Sequence, residues 1–263
     1  MNHALAFVDA DCWLGPSRMP LPERLRGDAL EKLLETMGNL GIAEACPTSA
    51  PAAMQPAGDG NQRLAAALAG RGNLHPVWML AAHHSGEASD PAETLQAMRQ
   101  AGARMARVVL DSGEGYFGRL HLLQLEGLLD QLSANRVPLI IDLGERKSVE
   151  NPDLAELLRA WPELPVILTF PKMESEARVL CCLLERYRNL RVSLRGYQIL
   201  GGIEEFVRLF GAGSLVFGSN YPHFTPLQSM LHLIYSEISE NEKQRVAGDN
   251  VRDLLRQAWG AHP

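Results

Sequence analysis

The chain has 263 residues, of which 46% are apolar and 21% charged, and its formal net charge is −6. This length and composition predict a globular protein with a full hydrophobic core. The acidic balance argues against a nucleic-acid groove, no apolar stretch reaches the about 18 residues of a membrane span, and the first residues do not resemble a signal peptide. The four cysteines suggest no disulfide framework and favour a reduced, cytoplasmic setting.

Eight short apolar runs along the chain have the length and composition of β-strands. In chain order they are Leu5–Val8, Ile42–Cys46, Leu74–Leu80, Met105–Leu110, Pro138–Ile141, Val166–Thr169, Leu190–Leu194 and Leu215–Phe217. Most of them are continuously apolar rather than alternating, which is typical of parallel strands that are covered on both faces.

Stretches with helical periodicity separate these runs. The first follows Asp28, whose spacing to Glu31 resembles a capping box, and near the end Asn250 is predicted to be the N-cap of a last helix, Val251–Trp259. Eight strands that alternate with helices predict a single-domain (β/α)8 TIM barrel over residues 1–263. A doubly wound open sheet is the alternative, although no Gly-rich phosphate loop follows the first strand.

In such a barrel, function belongs to the C-terminal ends of the strands. Side chains that could bind or react follow six of the predicted strands. They are Asp11 and Trp13 (strand one), His83 and His84 (three), Asp142 (five), Phe170 and Lys172 (six), Arg195 (seven), and Asn220 and His223 (eight).

The same strand ends resemble a known family. Residues 9–15 are similar to the opening D-A-H-x-H-x-G motif of the amidohydrolase-related proteins, and residues 217–222 are similar to their FGSDyP motif. Further similar segments are Asn61–Leu80, Gly102–Val109, Val137–Glu145, Trp161–Phe170 and Ser239–Leu255. The resemblance implies a (β/α)8 barrel. It also implies a place in the branch of the family that contains metal-dependent decarboxylases and hydrolases of small carboxylated substrates.

The resemblance also implies that the metal-ligand positions are replaced. The family uses two histidines of the first motif, histidines after strands five and six, and an aspartate after strand eight. The corresponding residues here are Asp11, Trp13, Asp142, Phe170 and Asn220. Tryptophan and phenylalanine offer a metal no lone pair, and a neutral amide cannot serve as a general base. We therefore expect no metal centre of the usual kind, no cofactor, and no metal-bound hydroxide mechanism.

The two acids, Asp11 and Asp142, allow three interpretations. They could form an acid–base pair, each could be paired with a cation such as Lys172 or Arg195, or they could hold Mg²⁺ or Ca²⁺ together with Asn220. Lys172 and Arg195 could in turn clamp a substrate carboxylate, a task that suits the planar fork of arginine.

The remaining candidates each have a functional and a structural interpretation. His223 could supply the general base that Asn220 cannot, or it could be a surface residue; His83 and His84 could move protons or simply line the rim. The rings of Trp13 and Phe170 could fill the pocket or form a platform for a ligand.

Two functions of different class follow. The first is a metal-independent hydrolase or lyase that acts on a small anionic, carboxylated molecule. Asp11, Asp142 and His223 would be catalytic, and Lys172, Arg195, Trp13, Phe170, Asn220 and His83 would bind the substrate. The alternative is an inactive pseudoenzyme kept as a ligand-binding or scaffold module. A homodimer, or pairing with an active relative, is the expected assembly.

Overall fold

The computed structural model describes residues 5–16, 23–25, 27–54, 56–83, 88–109, 122–143, 152–169, 173–195 and 199–260. The predicted site residues His84, Phe170 and Lys172 lie outside this described part of the chain.

Eight strands alternate with helices in the described residues. The strands are β1 (Phe7–Leu14), β2 (Ile42–Ser49), β3 (Val77–Met79), β4 (Met105–Val109), β5 (Leu139–Asp142), β6 (Val166–Thr169), β7 (Leu190–Ser193) and β8 (Leu215–Val216). The helices are α1 (Ala29–Leu40), α2 (Ala57–Leu68), α3 (Pro91–Gln100), α4 (Leu122–Ala134), α5 (Pro152–Ala160), α6 (Met173–Arg186), α7 (Gly202–Phe210), α8 (Pro226–Ile234), α9 (Glu240–Gln244) and α10 (Asn250–Gln257). None of these helices is long and apolar enough to cross a membrane.

The strands pair in parallel and in chain order from β1 to β8. Backbone bonds close the sheet: the Ala10 N–H donates to the carbonyl of Phe217 (3.1 Å), and the Trp13 N–H donates to the carbonyl of Tyr221 (2.7 Å). A sequential order that returns to its first strand is a barrel, so the predicted single-domain (β/α)8 fold is confirmed. The doubly wound alternative is wrong.

Apolar side chains fill both faces of the barrel wall. Val8, Val77, Met105 and Ile140 belong to a buried cluster enclosed by the strands. Leu139 belongs to the larger cluster between strands and helices. Neighbours along one strand therefore point to opposite but equally apolar surroundings, which explains why the strands appear as continuous apolar runs.

β1 is longer than its predicted counterpart, Leu5–Val8, and runs through Asp9 and Asp11 to Leu14. The predicted strand stops too early because acidic residues usually mark the end of a buried strand. Here both carboxylates are buried and have partners on other strands or loops, so the chain continues in extended conformation.

Asp28 is the N-cap of the first helix, as predicted, whereas the prediction that Asn250 caps the last helix is wrong. The Asp28 carboxylate accepts hydrogen bonds from the N–H groups of Leu30 and Glu31, both at 2.9 Å. Asn250 begins α10 directly after a π-helical turn, Arg245–Asp249, so the chain is already helical there. Its amide instead donates to the carbonyl groups of Ala212, which precedes β8, and of Leu215, the first residue of β8.

Candidate functional site

Four charged side chains meet at the end of the barrel where the strands have their C-termini. They are Asp11 (β1), Arg107 (β4), Asp142 (β5) and Arg195 (after β7), which we call the charge cluster. Arg107 Nη2 donates to Asp11 Oδ1. Arg195 Nη1 lies 3.5 Å from Asp11 Oδ2 and 3.6 Å from Asp142 Oδ2. Arg107 Nη1 lies 4.0 Å from Asp142 Oδ2, so two carboxylates and two guanidinium groups balance one another.

The charge cluster has a buried half and a half that reaches the surface. The side chains of Asp11 and Arg107 are 0% exposed, whereas those of Asp142 and Arg195 are each 10% exposed. Burial alone would raise the pKa of Asp11, but the positive charges of Arg107 and Arg195 outweigh it and lower the pKa below 3.8. Asp11 therefore stays ionised at neutral pH and is a weak proton acceptor.

Trp13 and Asn220 are hydrogen-bonded to each other beside the charge cluster. The indole Nε1–H of Trp13 donates to Asn220 Oδ1 at 2.9 Å. The ring of Trp13 also lies under Arg107, whose Cζ is 4.4 Å from the ring centroid, a cation–π contact. Asn220 has a left-handed backbone (φ 57°), and its N–H donates to the carbonyl of Asp11.

Asp9 holds β1 and the loop after β8 in register beneath this site. Its Oδ1 accepts from the N–H of Asp11 (3.1 Å) and of Ser219 (3.0 Å), and its Oδ2 accepts from the Ser219 hydroxyl. Burial raises the pKa of Asp9 to about 7, and the hydrogen bond from Ser219 only partly offsets this effect. The bonds fix the backbone at the residues that precede Asn220.

His223 stands at the edge of the charge cluster. The backbone N–H of His223 donates to the carbonyl of Asn220 at 3.0 Å. The peptide bond between Tyr221 and Pro222, just before His223, is cis. Burial lowers the pKa of its imidazole, and Arg195 lowers it further, against the opposite influence of the two aspartates. The imidazole is therefore neutral at pH 7. The Phe224 ring lies nearby, 5.7 Å from Arg195 Cζ.

The structure brings most of the described candidates together. Asp11, Asp142 and Arg195 form ion pairs, and Trp13 contacts Asn220. His83 follows β3 and is half-buried.

Arg107 is the residue that sequence reasoning missed. The available signal is an arginine inside the apolar run Met105–Val109, where a buried cation requires a buried anion.

The described donors at this site are not arranged to hold a divalent metal ion. Among the described residues, no group of three or more His, Cys, Asp or Glu side chains is placed to hold one. The oxygen of Asn220 already accepts from Trp13, and the carboxylates of Asp11 and Asp142 face guanidinium groups. A cation bound by these three oxygens, as one interpretation of the sequence has it, would have to displace these partners.

A closed (β/α)8 barrel with polar side chains gathered at its C-terminal end defines the general class of this chain. A family model described as Amidohydrolase (Amidohydro_2) matches residues 11–257, and the chain therefore belongs to this amidohydrolase family. No curated protein sequence matches the chain significantly.

Solved structures share the fold across nearly the whole chain at low identity. A 2,6-dihydroxybenzoate decarboxylase complexed with 2,6-dihydroxybenzoate is 18% identical, with a TM-score of 0.74 over 96% of this chain and 99% of that one. A dihydroxybenzoic acid decarboxylase from Polaromonas sp. JS666, with bound manganese and 2-nitroresorcinol, is 14% identical (TM-score 0.73; 96% and 97%). An uncharacterized TIM-barrel protein from Bordetella bronchiseptica is 18% identical (TM-score 0.73; 96% and 99%).

Proposed function

We propose that this barrel is a metal-independent hydrolase, or failing that a lyase, that acts on a small carboxylated molecule at the charge cluster. The observation that carries the proposal is the position of Arg195. Its guanidinium reaches the surface, is held by Asp142 at 3.6 Å, and lies beside a histidine with a lowered pKa and an exposed aromatic ring. A cation, a neutral base and an apolar face are the groups that a small aromatic or unsaturated carboxylate would need.

In this proposal Arg195 binds the substrate carboxylate. The guanidinium carries five N–H donors in a planar fork, so it can donate to a substrate carboxylate while Asp142 stays beside it. Asp142 keeps the guanidinium in place when no substrate is bound, and the Phe224 ring would contact the apolar part of the substrate. Asp11, which stays ionised, positions Arg107 and Arg195 rather than exchanging protons.

His223 serves as the general base. A neutral imidazole can accept a proton from water while the water oxygen attacks the carbonyl carbon of an ester, lactone or amide. The acyl C–O or C–N bond then breaks, and the imidazolium returns the proton to the leaving alkoxide or amine. A decarboxylating lyase needs instead a group that protonates the carbon from which carbon dioxide leaves. Because its pKa is lowered, few His223 imidazoles are protonated at neutral pH, so the form that could donate to carbon is scarce before a reaction begins.

The structural relatives support a small-molecule ligand for a barrel of this kind. One of them was solved with a dihydroxybenzoate and another with a nitroresorcinol. The second also carries manganese. In the part of this chain that the structure describes, no group of three or more His, Cys, Asp or Glu side chains is placed to hold such an ion. The shared fold therefore suggests the size of the ligand and not the chemistry that is done to it.

A pseudoenzyme is the second candidate. The full burial of the Asp11–Arg107 ion pair favours it, because a charge pair that water cannot reach holds strands together without contacting a ligand. In this case the barrel would bind a ligand or a partner and would catalyse no reaction.

Binding is tested by thermal unfolding of the purified chain with a panel of small carboxylates, followed by titration calorimetry of those that stabilise it. We expect at least one carboxylate to bind, and Arg195→Met to lose this binding while Arg208→Met, an exposed arginine of α7, keeps it. A panel with no binder, or equal binding by both variants, contradicts the proposed carboxylate site.

Turnover is tested with esters, lactones and amides of the carboxylates that bind. The hydrolase requires a rate that His223→Gln reduces by about a hundredfold or more, with His232→Gln of α8 as the matched control. Binding without turnover in the wild-type chain would favour the pseudoenzyme.

A further inference from the structure

We propose that an apolar face centred on α8 binds the same face of a second copy of this chain. Six exposed apolar side chains form this face, which we call the α8 patch. They are Leu227, Leu231, Ile234 and Tyr235, on or directly after α8, and Ile199 and Leu200, just ahead of α7. None of these residues takes part in the proposed reaction, so the pairing can be tested without a substrate.

α8 is apolar on the side that faces the barrel and also on the side that faces away from it. Met230 and Leu233 are buried in the larger core cluster, whereas Leu227 and Leu231 are exposed. A helix at the surface of a protein usually carries polar residues on its outer side, as α1 does with Glu35. A helix that is apolar all round is typically buried on both sides, which predicts a further layer of protein over α8.

The residues ahead of α7 lie beside α8. The hydroxyl of Ser229, on α8, donates to the carbonyl of Leu194 directly after β7 (3.5 Å). The N–H of Glu237, shortly after α8, donates to Glu204 Oε1 in the first turn of α7 (2.7 Å). These two bonds hold α8 beside the end of β7 and the start of α7, so Leu200 belongs to the same surface as the outer side of α8.

The area of the α8 patch is close to what a specific protein–protein contact requires. The exposed fractions of its side chains correspond to roughly 700 Å² of accessible surface, and a standard interface takes about 800 Å² from each partner. Single exposed apolar residues need no explanation, whereas a contiguous apolar patch of this size marks an interaction site. Tyr235, which is 79% exposed, supplies an aromatic side chain of the kind enriched among the residues that dominate binding.

The distribution of charge favours a second copy as the occupant. No Asp, Glu, Lys or Arg occurs from position 209 to position 236, or between Arg195 and Glu204. The chain has a net charge of −6, so two copies repel each other least where neither presents a charge. An uncharged face can meet its own copy across a two-fold axis without opposing like charges. A bilayer suits it less, because helices that lie on membranes are usually rich in Lys and Arg beside their apolar face.

The test measures the mass of the purified full chain by sedimentation equilibrium, at protein concentrations from about 1 to about 100 µM. Leu231→Glu places a charge in the middle of the α8 patch, and because Leu231 is exposed in a single chain, the glutamate stays solvated in the monomer. The matched control is Leu123→Glu, which changes an exposed leucine of α4, on another side of the barrel. Circular dichroism and thermal unfolding establish that each variant is folded.

We expect the wild-type chain and Leu123→Glu to have twice the mass of a single chain within this range of concentration. Leu231→Glu should weaken the association at least about hundredfold, because pairing would bury two like charges against each other. Tyr235→Glu, at the end of the same patch, should shift the mass in the same direction.

Two results would overturn the inference. A wild-type chain that stays monomeric at all these concentrations would leave the α8 patch to a different protein, or to a membrane if the monomer then sediments with vesicles of anionic lipid. Dimers that are equally strong in Leu231→Glu and Leu123→Glu would place the contact elsewhere on the barrel. If Leu231→Glu does not fold, Tyr235→Glu decides: monomers support the pairing, and dimers as strong as those of the wild type refute it.

Discussion

The pairing of Asp11 with Arg107 determines what each residue around it can do. Because Asp11 is fully buried and ionised, its removal would leave two guanidinium groups facing each other with a single carboxylate between them. A buried charge that loses its partner costs far more than an exposed ion pair contributes.

We expect Asp11→Asn to lower the free energy of unfolding by about 3–5 kcal/mol. Urea denaturation measures the loss, and Asp59→Asn, an exposed residue in the first turn of α2, should change it by less than about 0.5 kcal/mol. A cost for Asp11→Asn below about 1 kcal/mol would mean that Arg107 does not depend on Asp11.

His223 offers a direct measure of the charge at the surface of the cluster. Its pKa lies below 6.5, first because of burial and second because of Arg195. We expect its imidazole signals in NMR titrations to have a midpoint below 6.5 in the wild type, and a higher midpoint in Arg195→Met. In Asp142→Asn the midpoint should fall, because a negative charge is lost. The same midpoint in all three proteins would place His223 outside the influence of the cluster.

At the scale of elements, β1 and the loop after β8 form one unit through Asp9 and Ser219. The pKa of Asp9, about 7, lies above its ordinary value of 3.8. The protonated carboxyl is therefore favoured by the folded state, and this contribution to stability is complete below pH 3.8 and is lost as the pH rises to about 7.

Asp9→Asn imitates the protonated carboxyl and should fold. We expect the wild-type chain to lose unfolding free energy relative to Asp9→Asn between pH 5 and pH 7, and the difference to become constant above that range, because the wild-type carboxyl is then already ionised. Urea denaturation across this pH range measures the difference. Parallel curves for the two proteins would show that Asp9 has an ordinary pKa.

The (β/α)8 architecture could be predicted at the scale of the whole molecule, because each apolar run is local and its order along the chain is the order of the strands. The composition of the charge cluster was predicted only in part. Asp142 and Arg195 follow recognisable strands, whereas the partnership of Asp11 with Arg107 joins residues 96 positions apart. A buried arginine inside an apolar strand becomes meaningful only once closure of the barrel brings the opposing carboxylate to it.

Closure also depends on contacts at the opposite end of the barrel. Arg252 of α10 donates to Glu44 of β2 (2.6 Å) and to the carbonyl of Ala6 before β1 (3.1 Å), so it joins the last helix to the first two strands. These groups are partly exposed, which limits the strength of the pair.

We expect Arg252→Met to lower the free energy of unfolding by about 1 kcal/mol and the Tm by about 2–4 °C. Ligand binding should not change, because the active end of such a barrel is the other one. Arg256→Met, whose exposed side chain pairs with Asp253, is the control and should leave the Tm unchanged. A change in ligand affinity in Arg252→Met would show that the two ends are coupled.

The Trp13 indole has two partners at once, Asn220 at its N–H and Arg107 on its face. These shared contacts make it hard to convert the site into a metal centre by single substitutions. A histidine at position 13 has a smaller ring whose N–H groups lie elsewhere, so it would weaken both contacts and would still face the guanidinium of Arg107. An aspartate at position 220 alone would add a third negative charge that Arg107 and Arg195 do not balance. Redesign of this barrel into a metalloenzyme therefore concerns positions 13, 107 and 220 together, because each of these side chains contacts at least one of the other two.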